Sequence, residues 1–172
     1  MWIDFEITVS CKQCSLEGVQ KPEALLTKRE IGKQDYSSFS NGEGECLVCG
    51  SKDFFITSSK YDLGLFEKNP KTLETAERIW DVLEAIDSEG FEEEAVIAFF
   101  ENWRLEDFDQ FPEIYIGEME LIDYAKEVLP ELYEIPEKLE MYIDYEKFKR
   151  DLSYDVLEIY LDGRYFLFNM NN

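Results

Sequence analysis

Two short cysteine pairs, Cys11-Lys12-Gln13-Cys14 and Cys46-Leu47-Val48-Cys49, stand 31 residues apart near the start of the chain. Each C-x-x-C pair offers two sulfurs to one ion, and four thiolates paired this way suit a closed tetrahedral structural zinc site. If Cys11, Cys14, Cys46 and Cys49 share one zinc, the first fifty residues must double back on themselves. Gly50 follows the second pair and permits the tight turn that such a knuckle needs. A redox C-x-x-C is the competing reading, but redox folds need one such motif on a βαβ frame rather than two facing knuckles. The flanks read as strands: Ile3, Phe5, Ile7 and Val9 alternate with polar residues, and Asp53–Thr57 follows the second knuckle. Residues 1–59 are therefore expected to form a zinc-ribbon-like module. Ser15–Glu45 reads as a long loop with a short helix at Pro22–Arg29.

Charge divides the chain differently. The net charge is -22, and residues 1–72 hold 9 basic and 11 acidic residues against 8 and 28 in residues 73–172. Like charges at that density repel across a compact body and argue against duplex DNA or an anionic membrane as partner. Hydrophobic residues make up 45% and aromatic residues 15%, enough for packed cores, so disorder is excluded. The chain has no histidine, which removes the commonest general base, every Ser-His or Cys-His pair and histidine metal ligation. An enzyme is not expected. No basic segment followed by an apolar core opens the sequence, and the longest apolar run, Ala95–Phe100, is far short of a membrane span. The expectation is a cytoplasmic protein.

Within the acidic part, Thr72 reads as the cap of a helix with Leu73, Ala76, Ile79, Trp80, Leu83 and Ile86 on one face. Glu74, Glu77, Asp81, Glu84 and Asp87 recur at spacings of three and four, which places five carboxylates in one stripe. Phe91–Trp103 reads as a second helix, opened by Glu92, Glu93 and Glu94 where the helix dipole tolerates anions. Glu106, Asp107 and Asp109 follow; their D-x-D is too sparse for a calcium loop. Residues 118–129 read as an amphipathic helix carrying Glu118, Glu120, Asp123 and Glu127, and Pro136 suits the first turn of the next. Asp144 reads as the cap of a turn from which Tyr145, Phe148 and Leu152 pack inward. A hairpin closes the chain: Leu157, Ile159 and Leu161 point inward, Asp162-Gly163 turns, and Arg164–Phe168 returns. The fold class is α+β, with an acidic helical domain at 60–112 and an α+β domain at 113–172. Composition leaves two readings of the acid equal, a solvated surface and a functional anionic one.

The stretch Leu132–Leu152, "LYEIPEKLEMYIDYEKFKRDL", closely resembles the antirestriction motif of the ArdA family. "YIGEMELIDYAKEVLPEL" before it and the closing hairpin resemble that family's C-terminal domain, and residues 54–116 resemble its middle part more weakly. Trp2-Ile3-Asp4 is similar to a W-I-D near the family's N-terminus. The cysteine knuckles are a departure, since the family usually lacks them and has a further strand ahead of that point; a shortened start carrying a zinc module is expected here.

The resemblance implies a non-enzymatic DNA mimic that forms an elongated homodimer. Such proteins, carried by phages and conjugative elements, occupy the DNA-binding groove of type I restriction-modification enzymes, on the methyltransferase and specificity core. They bind no nucleic acid directly. By motif, Glu134, Glu137, Tyr142, Asp144, Tyr145, Arg150 and Asp151 fall in the antirestriction motif, which in the family lies near the dimer interface. Glu74, Glu77, Asp81, Glu84, Asp87, Glu92, Glu93, Glu106, Asp107, Asp109, Glu118, Glu120, Asp123 and Glu127 would stand in for phosphates. Duplex DNA carries one charge per about 1.7 Å, so the 20 net charges of residues 73–172 match about one turn. The other class of reading is a zinc-ribbon adaptor or regulator that binds a basic protein of another defence or nucleic-acid-processing system.

Overall fold

A computed structural model describes residues 4–17, 23–133 and 135–171. Trp2, Ile3, Pro22 and Glu134 lie outside the described residues, as does the side chain of Glu137. The chain is mixed α and β, with two small antiparallel sheets, and divides into compact units at residues 1–91 and 92–172.

The first unit is built on β1 (Glu6–Cys11), which lies between β2 (Glu23–Thr27) and β3 (Phe54–Lys60). Phe5, Ile7 and Val9 are fully buried, as their alternation requires, and Ile7 faces Leu26 on β2 while Val9 faces Ile56 on β3. Two corrections fall between the knuckles. The expected helix at Pro22–Arg29 begins as strand β2, because Ala24 and Leu26 alternate with exposed Glu23 and Leu25 and pair with β1. The helix, α2 (Lys28–Gly32), starts only at the Thr27 capping box, where Glu30 reaches back to the Thr27 backbone at 2.7 Å. The described part of Ser15–Glu45 thus holds a strand and a helix, with α1 (Lys12–Leu16) carrying the first knuckle into it.

After α3 (Leu65–Lys68), α4 (Leu73–Glu89) runs 17 residues. Thr72 caps it by accepting from the Thr75 N–H at 3.2 Å, and Gly90 ends it in the left-handed conformation. Ala76, Ile79, Val82, Leu83 and Ile86 are buried, so Val82 joins the expected apolar face, while Leu73 and Trp80 at its margin are only half-buried. Trp80 stacks on Phe5, with centroids 6.5 Å apart and planes 10° apart.

The second unit comprises α5 (Glu93–Phe99), a 3-10 helix (Leu105–Gln110), α6 (Phe111–Ile114), β4 (Tyr115–Glu118), α7 (Leu121–Leu132), a 3-10 helix (Glu137–Tyr142), α8 (Tyr145–Leu152), β5 (Val156–Leu161) and β6 (Arg164–Asn169). Its sheet has the order β4-β6-β5. Central β6 is covered on both faces: Phe168 meets Phe99, Trp103 and Phe111, while Leu167 joins Leu121 and Val156. Phe166, Leu167 and Phe168 are consequently all fully buried.

Several expected elements shift. Glu118 ends a strand rather than opening a helix, and α7 is capped at Glu120. The helix expected at Phe91–Trp103 stops at Phe99 and gives way to turns. The residues after Pro136 form a 3-10 helix, with the Leu139 N–H on the Pro136 carbonyl at 2.7 Å. Asp144 caps α8 through the Lys147 N–H at 3.1 Å, but Tyr145, Phe148 and Leu152 are only half-buried. On β5 the buried pair is Val156 and Ile159, with Leu157 and Leu161 half-buried, because both faces of this sheet are partly covered and strict alternation does not apply. The Asp162-Gly163 turn holds, with φ of 48° and 89°. No helix among the described residues is long and apolar enough to cross a membrane.

The seat of α2 against α4 is tight. A Cβ at Gly32 would stand 2.8 Å from Trp80 Nε1, and the Phe5 stack restrains that indole. Gly32→Ala gains helix propensity but forces this contact open, so it should destabilise the protein by about 1–2 kcal/mol, read from denaturant unfolding followed by tryptophan fluorescence.

Candidate metal centre and acidic faces

Cys11 is both the last residue of β1 and the cap position of α1, and Cys14 lies one turn on. The second knuckle returns under them. Its Cys46 N–H donates to the Ser51 carbonyl at 2.7 Å, the Gly50 N–H donates to the Cys46 carbonyl at 2.9 Å, and Gly50 takes φ 73°. The Lys12 N–H bonds the Asp53 carbonyl at 2.9 Å, which ties one knuckle to the strand leaving the other. All four Sγ atoms then lie within 4.8 Å of one another, with Cys11 to Cys49 at 3.5 Å and Cys14 to Cys46 at 3.8 Å. A tetrahedron with metal–sulfur bonds of about 2.3 Å has edges of about 3.8 Å, so the donor set fits a single four-coordinate ion. Cys11, Cys14 and Cys46 are buried and Cys49 is exposed.

The thiols are not equivalent. Burial pushes Cys14 well above the ordinary thiol range and raises Cys11 as well. Burial also opposes ionisation of Cys46, but the backbone N–H groups of Cys49 and Val48 together with the Cys11 and Cys14 thiols lower it to about 7. An ion that binds here would displace protons from the buried pair and give all four sulfurs one shared partner.

The expected acidic stripe lies on α4, but its members are held differently. Glu74, Asp81, Glu84 and Asp87 are exposed, with Asp81 3.9 Å from Arg78. Glu77 is half-buried; its Oε1 accepts from the Tyr36 hydroxyl and its Oε2 accepts from Gln34 Nε2 at 3.4 Å. Burial first, and then Glu77 itself, pushes the Tyr36 phenol up, so it remains a donor at neutral pH.

In the second unit, sequence reasoning missed a cation at the centre of two predicted acids, Glu92 and Glu118, and of Glu94. Arg164 opens β6 and reaches Glu92 at 3.1 Å, Glu94 at 3.5 Å and Glu118, where its Nε donates at 2.8 Å. The Glu118 carboxyl falls below the ordinary range because Arg164 donates to it and neutralises it. Beside this cluster, burial and then the charges of Glu92 and Glu118 push Tyr115 up to about 12. Asp107 is spent on the Arg104 backbone N–H at 3.0 Å, Glu106 pairs with Arg104 at 3.6 Å, and Asp123 pairs with Lys126 at 2.7 Å. Glu93 is half-buried, whereas Asp109, Glu120 and Glu127 are exposed. Of the motif residues, Tyr142, Asp144, Arg150 and Asp151 are exposed and Tyr145 is half-buried. The pairing of Arg164 leaves no trace in spacing, since Glu92 and Arg164 are 72 residues apart.

Two outcomes follow. Cys14→Ser should remove one equivalent of bound metal, measured by elemental analysis, and lower the melting temperature by about 10 °C or more. Arg164→Gln should lower the melting temperature more at pH 7 than at pH 3. The folded Glu118 carboxyl is depressed, so its contribution is present above the ordinary glutamate range and is lost as pH falls through the folded value.

No curated protein matches the chain in comparison. Residues 2–166 match the family described as Antirestriction protein (ArdA), and that span includes both knuckles. The chain belongs to the ArdA antirestriction family.

Proposed function

We propose that the protein blocks type I restriction-modification enzymes by presenting carboxylates in place of DNA phosphates to the binding groove on the methyltransferase and specificity core. Family membership carries the antirestriction role. The observation that supports mimicry as its means is the exposed row Glu74, Asp81, Glu84 and Asp87 on α4, within a segment whose net charge is -20. A groove lined with Lys and Arg to receive phosphates is attracted to such a row at similar spacing. One helix has too few charges to replace a duplex, so further acids and a second copy of the chain are needed to complete the surface. The motif residues Tyr142 to Asp151 serve that homodimer.

The four thiols take zinc, in keeping with an all-sulfur tetrahedral shell, and the ion is structural because four protein ligands leave no coordination position for water. In this reading residues 1–59 form the zinc module, 60–112 the acidic domain and 113–172 the antirestriction and dimerisation domain. The protein acts in the cytoplasm of the bacterial host and takes its effect by exclusion of DNA, with no chemistry of its own.

A second reading has one observation in its favour. Leu16, Leu47 and Val48, on the knuckles, are 75%, 57% and 55% exposed, as an adaptor that seats its zinc module on a partner would require.

The test is displacement of a fluorescent duplex from a type I methyltransferase core by the metal-loaded protein at two salt concentrations. Displacement at near-stoichiometric protein, weaker at higher salt, is expected. The triple variant Glu74→Gln, Asp81→Asn, Glu84→Gln should melt as the parent does and displace about tenfold less effectively. No displacement by folded protein would defeat mimicry of this target and favour the adaptor.

A further inference from the structure

Glu77 belongs to the acidic stripe by spacing but not by environment. Both of its carboxylate oxygens are engaged from the segment between the knuckles, by Tyr36 and by Gln34. Gln34 itself holds φ 52°, a left-handed conformation that a residue other than glycine adopts at some strain and that here follows the end of α2. That strain is tolerated where the surroundings fix the residue in place.

From Tyr36 a continuous packed route leads to the metal ligands. Tyr36 meets Phe39 at 5.7 Å, Phe39 meets Phe54 edge-on at 4.9 Å, and Phe54 packs against the cluster of Cys11, Cys14 and Cys46. The backbone runs in parallel with the rings. The Ser40 N–H bonds the Tyr36 carbonyl at 3.0 Å, Ser40 bridges to Cys46, and the Leu47 N–H bonds the Phe39 carbonyl at 3.2 Å. Phe39 is fully buried, so this turn cannot move without opening the module. The second knuckle, the turn at residues 36–40 and the middle of α4 are therefore one mechanical piece, and the piece is closed at its far end by the thiol cluster.

We propose that Glu77 is a positioning residue and not a phosphate stand-in: through Tyr36 and Phe39 the metal-bound module sets the place of the acidic helix, so inhibition depends on the metal. This rests on the DNA-mimic reading above, and it deepens it by giving the cysteine module a regulatory part. A row of carboxylates competes with a rigid duplex only if it is held, because ordering side chains and helix during binding subtracts from affinity. Loss of the ion releases the knuckles, the turn loses its backing, and the helix keeps its charge but not its fixed position.

The full-length chain tests this with three single variants in the same displacement assay. Glu77→Gln keeps an acceptor for the Tyr36 hydroxyl while removing the charge, and should inhibit within about twofold of the parent. Glu77→Ala and Tyr36→Phe should each weaken inhibition about fivefold, and their combination should be no weaker than either alone, as expected of partners in one interaction. A second readout is independent of inhibition: chelation of the metal should speed amide hydrogen exchange along residues 73–89 in the parent, and much less so in Tyr36→Phe, where the connection is already cut. The proposal is overturned if Glu77→Gln is as weak as Glu77→Ala, which would make the charge itself the contact, or if chelation leaves exchange in the helix unchanged. If the parent displaces no DNA, mimicry of that target fails, while the exchange experiment still decides whether the metal holds the helix.

Discussion

Convergence of four sulfurs is the constraint on which the first unit depends. Its sheet has three short strands, and its buried residues include Phe5, Ile7, Val9, Leu26 and Ile56 on or beside the sheet, Phe39 at the turn, and Ile79, Val82 and Leu83 on α4. A metal that binds four thiolates adds its binding free energy to what such apolar burial supplies. Here the cysteines sit where the chain would otherwise separate: Cys11 at the end of the central strand, Cys14 in the helix that follows, Cys46 and Cys49 just before the third strand begins. Bringing them together fixes the ends of β1 and β3 in register, and everything docked on that sheet inherits the fixed geometry.

The opposite force is repulsion among carboxylates, and the second unit meets it by two means. One is a cluster of rings, in which Phe99 contacts Phe100, Trp103, Phe108, Phe111 and Phe168 within 6.2 Å. Aromatic packing of this density supplies apolar burial that does not weaken with pH or salt. The other is the use of single cations as hubs. Arg164 draws Glu92, Glu94 and Glu118 together, and its guanidinium also lies over the Phe166 ring at 5.2 Å. One positive charge shared by three negative ones leaves the region acidic while holding the carboxylates in place.

Legibility in the sequence followed the range of the interaction responsible. The knuckles, the Thr72 cap, the Asp144 cap and the Asp162-Gly163 turn depend on residues within a few positions of each other, and each was readable. Strand β2 was not, because Glu23–Thr27 is short and its identity comes from pairing with β1, some sixteen residues earlier; the Thr27–Glu30 capping box was nevertheless a local sign of where the helix starts. The buried run Phe166–Phe168 defeats a period of two because helices and strands cover both faces of β6. Among site residues, the four cysteines were found by spacing, whereas the division of the acids into exposed ones, paired ones and Glu77 depends on Arg164, Lys126 and Tyr36. Lys126 lies one helical turn from Asp123, but Tyr36 and Arg164 act across more than forty residues of chain and do not announce their partners by position.

That division bears on what an anionic surface needs. Total charge sets attraction at long range, and it is indifferent to arrangement. Competition for a groove that has been shaped around phosphates is a matter of fixed spacing, and fixed spacing must be purchased with contacts that withdraw some carboxylates from the surface. Glu77 on Tyr36 and Asp107 on the Arg104 backbone are such withdrawals, both half-buried. Each ties down an element that carries exposed carboxylates: Glu77 lies on α4 with Glu74 and Glu84, and Asp107 caps the 3-10 helix that carries Glu106 and Asp109. A stripe with every carboxylate free would attract more strongly from a distance and fit less well on contact. In this chain the acids that look least available are the ones that give the others a place to stand.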